Sequence, residues 1–446
     1  MELTASRHFR ITPRPAGSAV PLTAFQLKFL KWTQRRLSVA QLRLLGSLNI
    51  TYLQKCLDAV VQRHEPLRTR IVQSDGVPCQ HVDPTGECHL NVTDLSMISS
   101  AEIEREAKRL AEEFFMKEND VSAGPLFDAI VLRLADFDHV LLVAFDHIVS
   151  DGISCAILMR EIQALYNQIS QRLPFSLPKL NVQFADYAVW QQQTYNDWLE
   201  KHEAYWRERL ARAPQIRLQR DDVVVNTHRA AATLHFPFGK VMTNTLRDLA
   251  KRERTLLPLV FLTAYVATMA RWCNQHDLVL KFISHGRHSG PEFGGMVGLL
   301  ATVLHLRTEI SKGDCFLDLL KRVTLEFFSA NQHRDFDRVS TLIPECTTDL
   351  YFNWVTANRE RSSVRKDQEV LHGLRVLQFT TEGTWIPEFF TPIFSDTAAG
   401  VCLSVRYPTH LYAKSTIERF GRHLRLFATE FAQRPSTSVE SVILPK

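Results

Sequence analysis

Apolar residues recur along this chain in two patterns, a three-and-four spacing and short unbroken runs, and the changes between them mark its elements. Leu53, Cys56, Leu57, Val60 and Val61 share one face of a helix predicted over 51–63, and Ile103, Ala107, Leu110 and Phe114 share one over 101–117. Residues 140–145 are a continuous run with β-branched and aromatic members, which predicts a buried strand. A strand over 126–135 pairs with it as a hairpin turning at Asp136, Phe137 and Asp138, and another strand is expected at 39–48. After residue 150 the period returns to that of a helix, with Leu158, Ile162, Leu165, Tyr166 and Ile169 on one face.

Prolines 174 and 178 stop that helix and stiffen the segment 171–178, the best position for a linker. Two lobes follow, 1–177 and 178–446. The second opens on a helix rich in aromatics (Trp190, Tyr195, Trp198, Tyr205 and Trp206), read as a packing stripe between lobes. Helices at 241–254 and 256–273, a strand at 278–284, a helix at 316–329, a strand at 350–354 and a last helix at 415–432 complete it. Alternation of this kind indicates a mixed α/β sandwich.

The strand at 140–145 runs into the helix after residue 150 through Asp146-His147-Ile148-Val149-Ser150-Asp151-Gly152, an H-x-x-x-D-G motif. His147 stands at the strand's end. Asp151-Gly152 reads as a turn whose glycine takes angles forbidden to side chains, and Ser154 as the cap of the next helix. An ordinary histidine pKa of about 6.5 leaves the ring mostly neutral near pH 7, fit to act as a general base. Such a base contributes about 100- to 10,000-fold in rate. Taken alone, the same residues also describe a core histidine, a turn and a helix cap.

Other segments narrow the choice. Residues 21–32 read PLTAFQLKFLKW, 63–69 read RHEPLRT, and 184–191 read FADYAVWQ. Later come Gly286-Arg287, the segments 296–300 (MVGLL) and 304–307 (LHLR), 331–336 (NQHRDF) and 349–354 (DLYFNW). In this order the motifs resemble those of the condensation domains of nonribosomal peptide synthetases, over nearly the whole chain. The strings at 63–69 and 184–191 are specific, and those near the carboxyl end match more loosely.

The resemblance implies two lobes of the chloramphenicol acetyltransferase-like fold, arranged as a V-shaped pseudo-dimer with His147 at the seam. It implies transfer of an acyl or aminoacyl group from the phosphopantetheine thioester of an acyl or peptidyl carrier protein to a small-molecule amine or alcohol. On this reading His147 is the base and a backbone N–H near Gly152 meets the oxyanion. Asp151 turns away into a salt bridge, with Arg68 as the favoured partner and Arg63 in reserve. Asp146, Ser154 and Asn353 are possible tunnel or substrate contacts, each with a purely structural alternative; beside the base, Asp146 could also raise its pKa or repel a carboxylate-bearing substrate. The phosphopantetheine comes with the carrier, so the chain itself needs no cofactor.

One departure stands out. The family's motif usually begins with two histidines, and here Asp146 takes the first place. Asp146, Asp151 and Ser154 also satisfy the D-x-x-x-x-D-x-x-S pattern of the heterocyclisation branch, although that branch normally lacks the histidine at 147. Coenzyme A-dependent acyltransferases share the H-x-x-x-D-G logic, but the D-F-G-W-G segment usual in the plant branch is absent. A non-catalytic recruitment domain is the remaining alternative, against which the intact His147, Asp151 and Gly152 argue.

Composition adds bounds. The 446 residues, 45% hydrophobic and 23% charged, are enough for two cored lobes. A balance of 53 basic against 48 acidic residues, net +5, gives no reason to expect nucleic acid. The basic clusters at 251–254 and 359–365 read as solvated faces, with an acidic carrier as the sharper possibility. Eight scattered cysteines without a C-x-x-C pair indicate reduced thiols, and no spacing supports a metal. The start lacks a signal-peptide pattern, and the apolar run at 256–270 is too short to span a bilayer. A cytoplasmic monomer is the expectation.

Overall fold

The computed structural model describes residues 11–15, 17–30, 37–117, 120–221, 230–287, 290–334, 336, 338–356, 369–381 and 387–445. Lys31, Trp32, Asp335 and the basic cluster 359–365 therefore lie outside the described residues, as do the side chains of Tyr195 and Trp198.

The chain forms two compact units. The first comprises Met1–Trp198, His285–Ala301 and Val364–Trp385, and the second Leu199–Ser284, Thr302–Ser363 and Ile386–Lys446. The boundary expected at 177/178 falls inside the first unit. The proline segment does end a helix, but it is pinned rather than free: Gln168 and Ser176 exchange two hydrogen bonds of 3.0 Å, and Gln183 donates to the Arg63 carbonyl at 3.0 Å. Helix Phe184–Arg209 instead carries the chain from one unit to the other.

In the first unit a six-stranded sheet has the order Glu369–Leu371, Leu374–Gln378, Leu37–Gly46, Asp138–Asp146, Phe127–Ala135 and Asn91–Asp94. All neighbours are antiparallel except the last pair. Strand Asp138–Asp146 is central, and both of its faces are covered. Leu141, Val143 and Phe145 pack with helices Ile50–Arg63 and Gly152–Ser170, while Val140, Leu142 and Ala144 pack with helix Ile103–Met116. A strand buried on both sides has no polar face, which is why the run at 140–145 lacks alternation.

The second unit has its own sheet, ordered Thr302–Glu309, Asp277–Ser284, Tyr351–Thr356, Thr391–Thr397, Gly400–Pro408 and Ala231–Pro237. Helix Leu257–Cys273 is buried on every side from Leu259 to Ala270 and joins helices Phe316–Asn331 and Lys414–Gln433 in one core. Among the described residues no single helix is long and apolar enough to cross a membrane. Trp206 is fully buried in this core, while Trp190 packs on Tyr187 in the first unit, with ring centroids 5.7 Å apart. All eight cysteines are free thiols.

Candidate active site

The site begins where strand Asp138–Asp146 ends. Asp146 is buried, and its Oδ1 accepts from the Ile148 N–H at 3.0 Å while its carbonyl accepts from the Ser150 hydroxyl at 2.9 Å. These bonds fold residues 146–150 into a compact turn. Asp146 thus shapes the loop that carries His147, a role the sequence left open.

His147 is partly exposed, and its Nδ1 lies 2.8 Å from the Ser150 carbonyl oxygen. A carbonyl only accepts, so Nδ1 carries the proton and, in the neutral ring, Nε2 is the basic nitrogen. The ring also rests 5.5 Å from that of Phe29, centroid to centroid.

Helix Gly152–Ser170 starts at once, and its cap is Asp151, not Ser154. The Asp151 Oδ1 accepts from the Ser154 N–H at 2.7 Å and from its hydroxyl at 2.8 Å. Aspartate is among the strongest N-caps, which puts Gly152 and Ile153 at the first two helical positions, where N–H groups have no intrahelical acceptor. Gly152 needs no special backbone angle, since its φ is not positive. A Cβ built on it would meet no atom within 4 Å. The glycine therefore keeps space open beside the loop instead of making a turn.

Asp151 is clamped as expected, but by a different arginine. Arg287 approaches with two nitrogens, Nη1 to Oδ2 at 2.8 Å and Nη2 to Oδ1 at 3.1 Å, and the side chains are only 8% and 4% exposed. Arg68 donates instead to the Asp83 carbonyl, and Arg63 binds Glu161 and the Pro178 carbonyl. Neither reaches Asp151 because both are engaged elsewhere, Arg63 in a second tether in which Glu161 also meets the buried His64 at 2.7 Å. Burial raises the Asp151 pKa, but the Arg287 charge and the Arg287 and Ser154 hydrogen bonds outweigh it, so the carboxyl ends below its ordinary value.

The segment 285–301 completes the cluster. The Ser154 hydroxyl shares its one proton between Asp151 Oδ1 and the Gly298 carbonyl, 2.9 Å away, and accepts from the Gly298 N–H at 3.0 Å, while the Leu300 N–H donates to Asp151 Oδ2 at 3.2 Å and the Met296 carbonyl accepts from Arg287 at 3.2 Å. Ser154 is committed to this stitch, not poised for a substrate. Gly286, with φ +66°, is the bend that brings the chain against residue 300: a Cβ there would lie 1.5 Å from the Leu300 carbonyl oxygen. The glycine-arginine and valine-glycine motifs were visible in the sequence, but nothing in it indicated that they close on Asp151.

Asn353 belongs to the second unit, on strand Tyr351–Thr356, paired in register with Ile283 and Ile393 and partly exposed. Cys155, the thiol next to Ser154 in the chain, is no candidate nucleophile, because burial and the Asp151 charge push it up to about 12. Asp186, of the motif at 184–191, binds Arg14 at 2.8 Å, and Glu65, of the motif at 63–69, binds the same arginine at 3.0 Å. Both motifs are tethers of the first unit. Among the described residues no group of three or more metal-ligating side chains occurs.

The family model for the condensation domain matches residues 20–446. Chondramide synthase cmdD of Chondromyces crocatus is 28% identical over 97% of this chain, which corresponds to 11% of that protein. A linear gramicidin synthase of Brevibacillus parabrevis is 31% identical over 85% of the chain and 8% of its own length. The chain thus spans only a small part, 11% and 8%, of these two curated relatives. Among solved structures, the X-domain from teicoplanin biosynthesis superposes with a TM-score of 0.83 at 21% identity, covering 98% of this chain and all of that one. The first condensation domain of the calcium-dependent antibiotic synthetase, solved with a substrate analogue, gives 0.77 at 18% identity, covering 96% of this chain and all of that one.

Proposed function

The chain belongs to the condensation-domain family, and from that premise we propose that it transfers an acyl or aminoacyl group from a carrier protein's phosphopantetheine thioester to an amine or hydroxyl acceptor. The observation that carries this reading is the fixed tautomer of His147, with Nδ1–H held by Ser150 and a basic Nε2 on a partly exposed ring.

In the proposed reaction the acceptor attacks the thioester carbonyl as its proton passes to Nε2. The carbonyl oxygen takes the negative charge of the tetrahedral intermediate, and the N–H groups at the start of helix Gly152–Ser170 offer it donors and the positive end of the helix. Collapse forms the amide or ester bond and breaks the carbon–sulfur bond, and the imidazolium returns its proton to the departing thiolate. The open space at Gly152 suits the approach of a slender arm. Asp151 and Arg287 hold the corner and make no contact with the reacting atoms.

The test is intact-mass analysis of an acyl-loaded carrier incubated with the protein and a panel of amines and alcohols. Loss of the acyl group to one class of acceptor, with product of matching mass, is the expected result. Equal activity with acyl-coenzyme A would move the chain to the coenzyme A-dependent acyltransferases. Carrier binding with no turnover over the whole panel would select the recruitment reading.

A further inference from the structure

The short helix Ala24–Phe29 contributes no group to the chemistry above, yet it presses two side chains onto the catalytic loop. Gln26 is fully buried, and every polar atom of its amide is used. Its Oε1 accepts from the Thr23 N–H at 2.9 Å, and its Nε2 donates to the Ile148 carbonyl at 2.8 Å and toward Gln80 Oε1 at 3.5 Å. Gln80 in turn donates to the Pro21 carbonyl at 2.8 Å. The partners fix which way the amide points, because the oxygen faces a donor and the nitrogen faces two acceptors.

Ile148 follows His147 directly. Its peptide groups are held on both sides, the N–H by Asp146 and the carbonyl by Gln26. Three residues on from Gln26, on the same helical face, Phe29 meets the His147 ring. One helical turn therefore grips both the backbone next to the base and the base itself.

We propose that Gln26 and Phe29 are positioning residues for His147, setting the ring's direction and tautomer through the loop that carries it. The inference rests on His147 acting as the base, but it makes a claim about the ring that is readable without turnover. A neutral histidine on a loop has three freedoms to lose: backbone angle, ring rotation and tautomer. Ser150 fixes the tautomer only while its carbonyl stays in line with Nδ1, and that alignment depends on the 147–150 turn keeping its shape.

The experiment is ¹⁵N NMR of the His147 ring in the full chain, wild type against Gln26→Met and Phe29→Leu, with turnover measured on the same samples. The wild-type ring should report the Nδ1-protonated tautomer. In Gln26→Met the signals should move toward a mixture of tautomers while kcat falls about 10- to 100-fold, with KM within about twofold, as expected when a reacting group is misplaced by about 1 Å. Phe29→Leu, which leaves the buried amide intact, should show the same direction with smaller size, and it decides the matter if Gln26→Met does not fold. Folded variants with wild-type ring signals overturn the proposal, even where stability drops. Shifted ring signals together with normal turnover in His147→Ala would uphold the positioning and remove the base.

Discussion

Replacing Asp151 by asparagine separates a clamp from a chemical group. In the native structure the carboxylate accepts four hydrogen bonds, two from Arg287 and one each from the Ser154 and Leu300 N–H groups, and shares the Ser154 hydroxyl proton with the Gly298 carbonyl. Asparagine keeps one oxygen and remains a competent cap, so the cap itself, worth about 1 kcal/mol, is not what is lost. The amide NH₂ must instead face donors, whichever way it turns. Towards Oδ2 it meets Arg287 and Leu300, and towards Oδ1 it meets Arg287 and Ser154. Arg287, with a side chain only 8% exposed, also loses its counter-charge. Breaking a buried pair from one side costs about 3–5 kcal/mol, equivalent to a fall in melting temperature on the order of 10 °C for a unit of this size.

Thermal melts followed by circular dichroism at a series of pH values provide the assay. Because the Asp151 pKa is depressed in the folded protein, its contribution is fully present above the unfolded value of about 4 and is lost as pH falls through the folded value. The gap between wild type and variant should therefore be constant at neutral pH and close only in acid. Pairing Asp151→Asn with Arg287→Met should restore part of the stability, since the buried cation is removed with its partner. A variant that melts like wild type yet has lost turnover would refute the clamp and place Asp151 in the reaction.

Two further substitutions probe the glycines. Gly286→Ala forces a side chain into a left-handed conformation and against the Leu300 carbonyl, so soluble yield and melting temperature should fall together with turnover; a well-folded variant would show that the 285–301 segment tolerates displacement. Gly152→Ala adds a methyl group to open space at the first helical position, so the melt should stay within about 1 kcal/mol of wild type while turnover on a loaded carrier falls about tenfold or more; unchanged turnover would mean that nothing approaches the loop on that side.

Much of the fold was legible where one element is enough to explain the pattern. Leu53, Cys56, Leu57, Val60 and Val61 are all buried as the stripe indicated, and the unbroken run at 140–145 is the central strand. Helix Ile103–Met116 is offset from expectation: its buried positions are Ala107, Ala111 and Phe115, so the wider apolar face turns by about one residue, with Ile103, Leu110 and Phe114 at its margin. The site was legible as far as its local chain. The histidine, the aspartate and the glycine lie on one strand–loop–helix corner, but the glycine has no special backbone angle and Asp151, not Ser154, caps the helix.

Contacts between distant parts of the chain left no readable trace. Asp151 and Arg287 are 136 residues apart, and no periodicity links them. Arg68 lies in a specific motif, but the constraint on that motif is the tether through Arg14, Arg63, His64, Glu65 and Glu161. The return of residues 285–301 and 369–378 to the first unit is equally hidden, because a strand that completes a sheet carries the same alternation wherever its neighbours come from.

The most direct measurement is single-turnover acyl transfer from a loaded carrier to excess acceptor, wild type against His147→Ala, with the variant's fold verified by its melt. Loss of a general base should slow transfer by about 100- to 10,000-fold. Transfer at the wild-type rate would contradict the account at its centre.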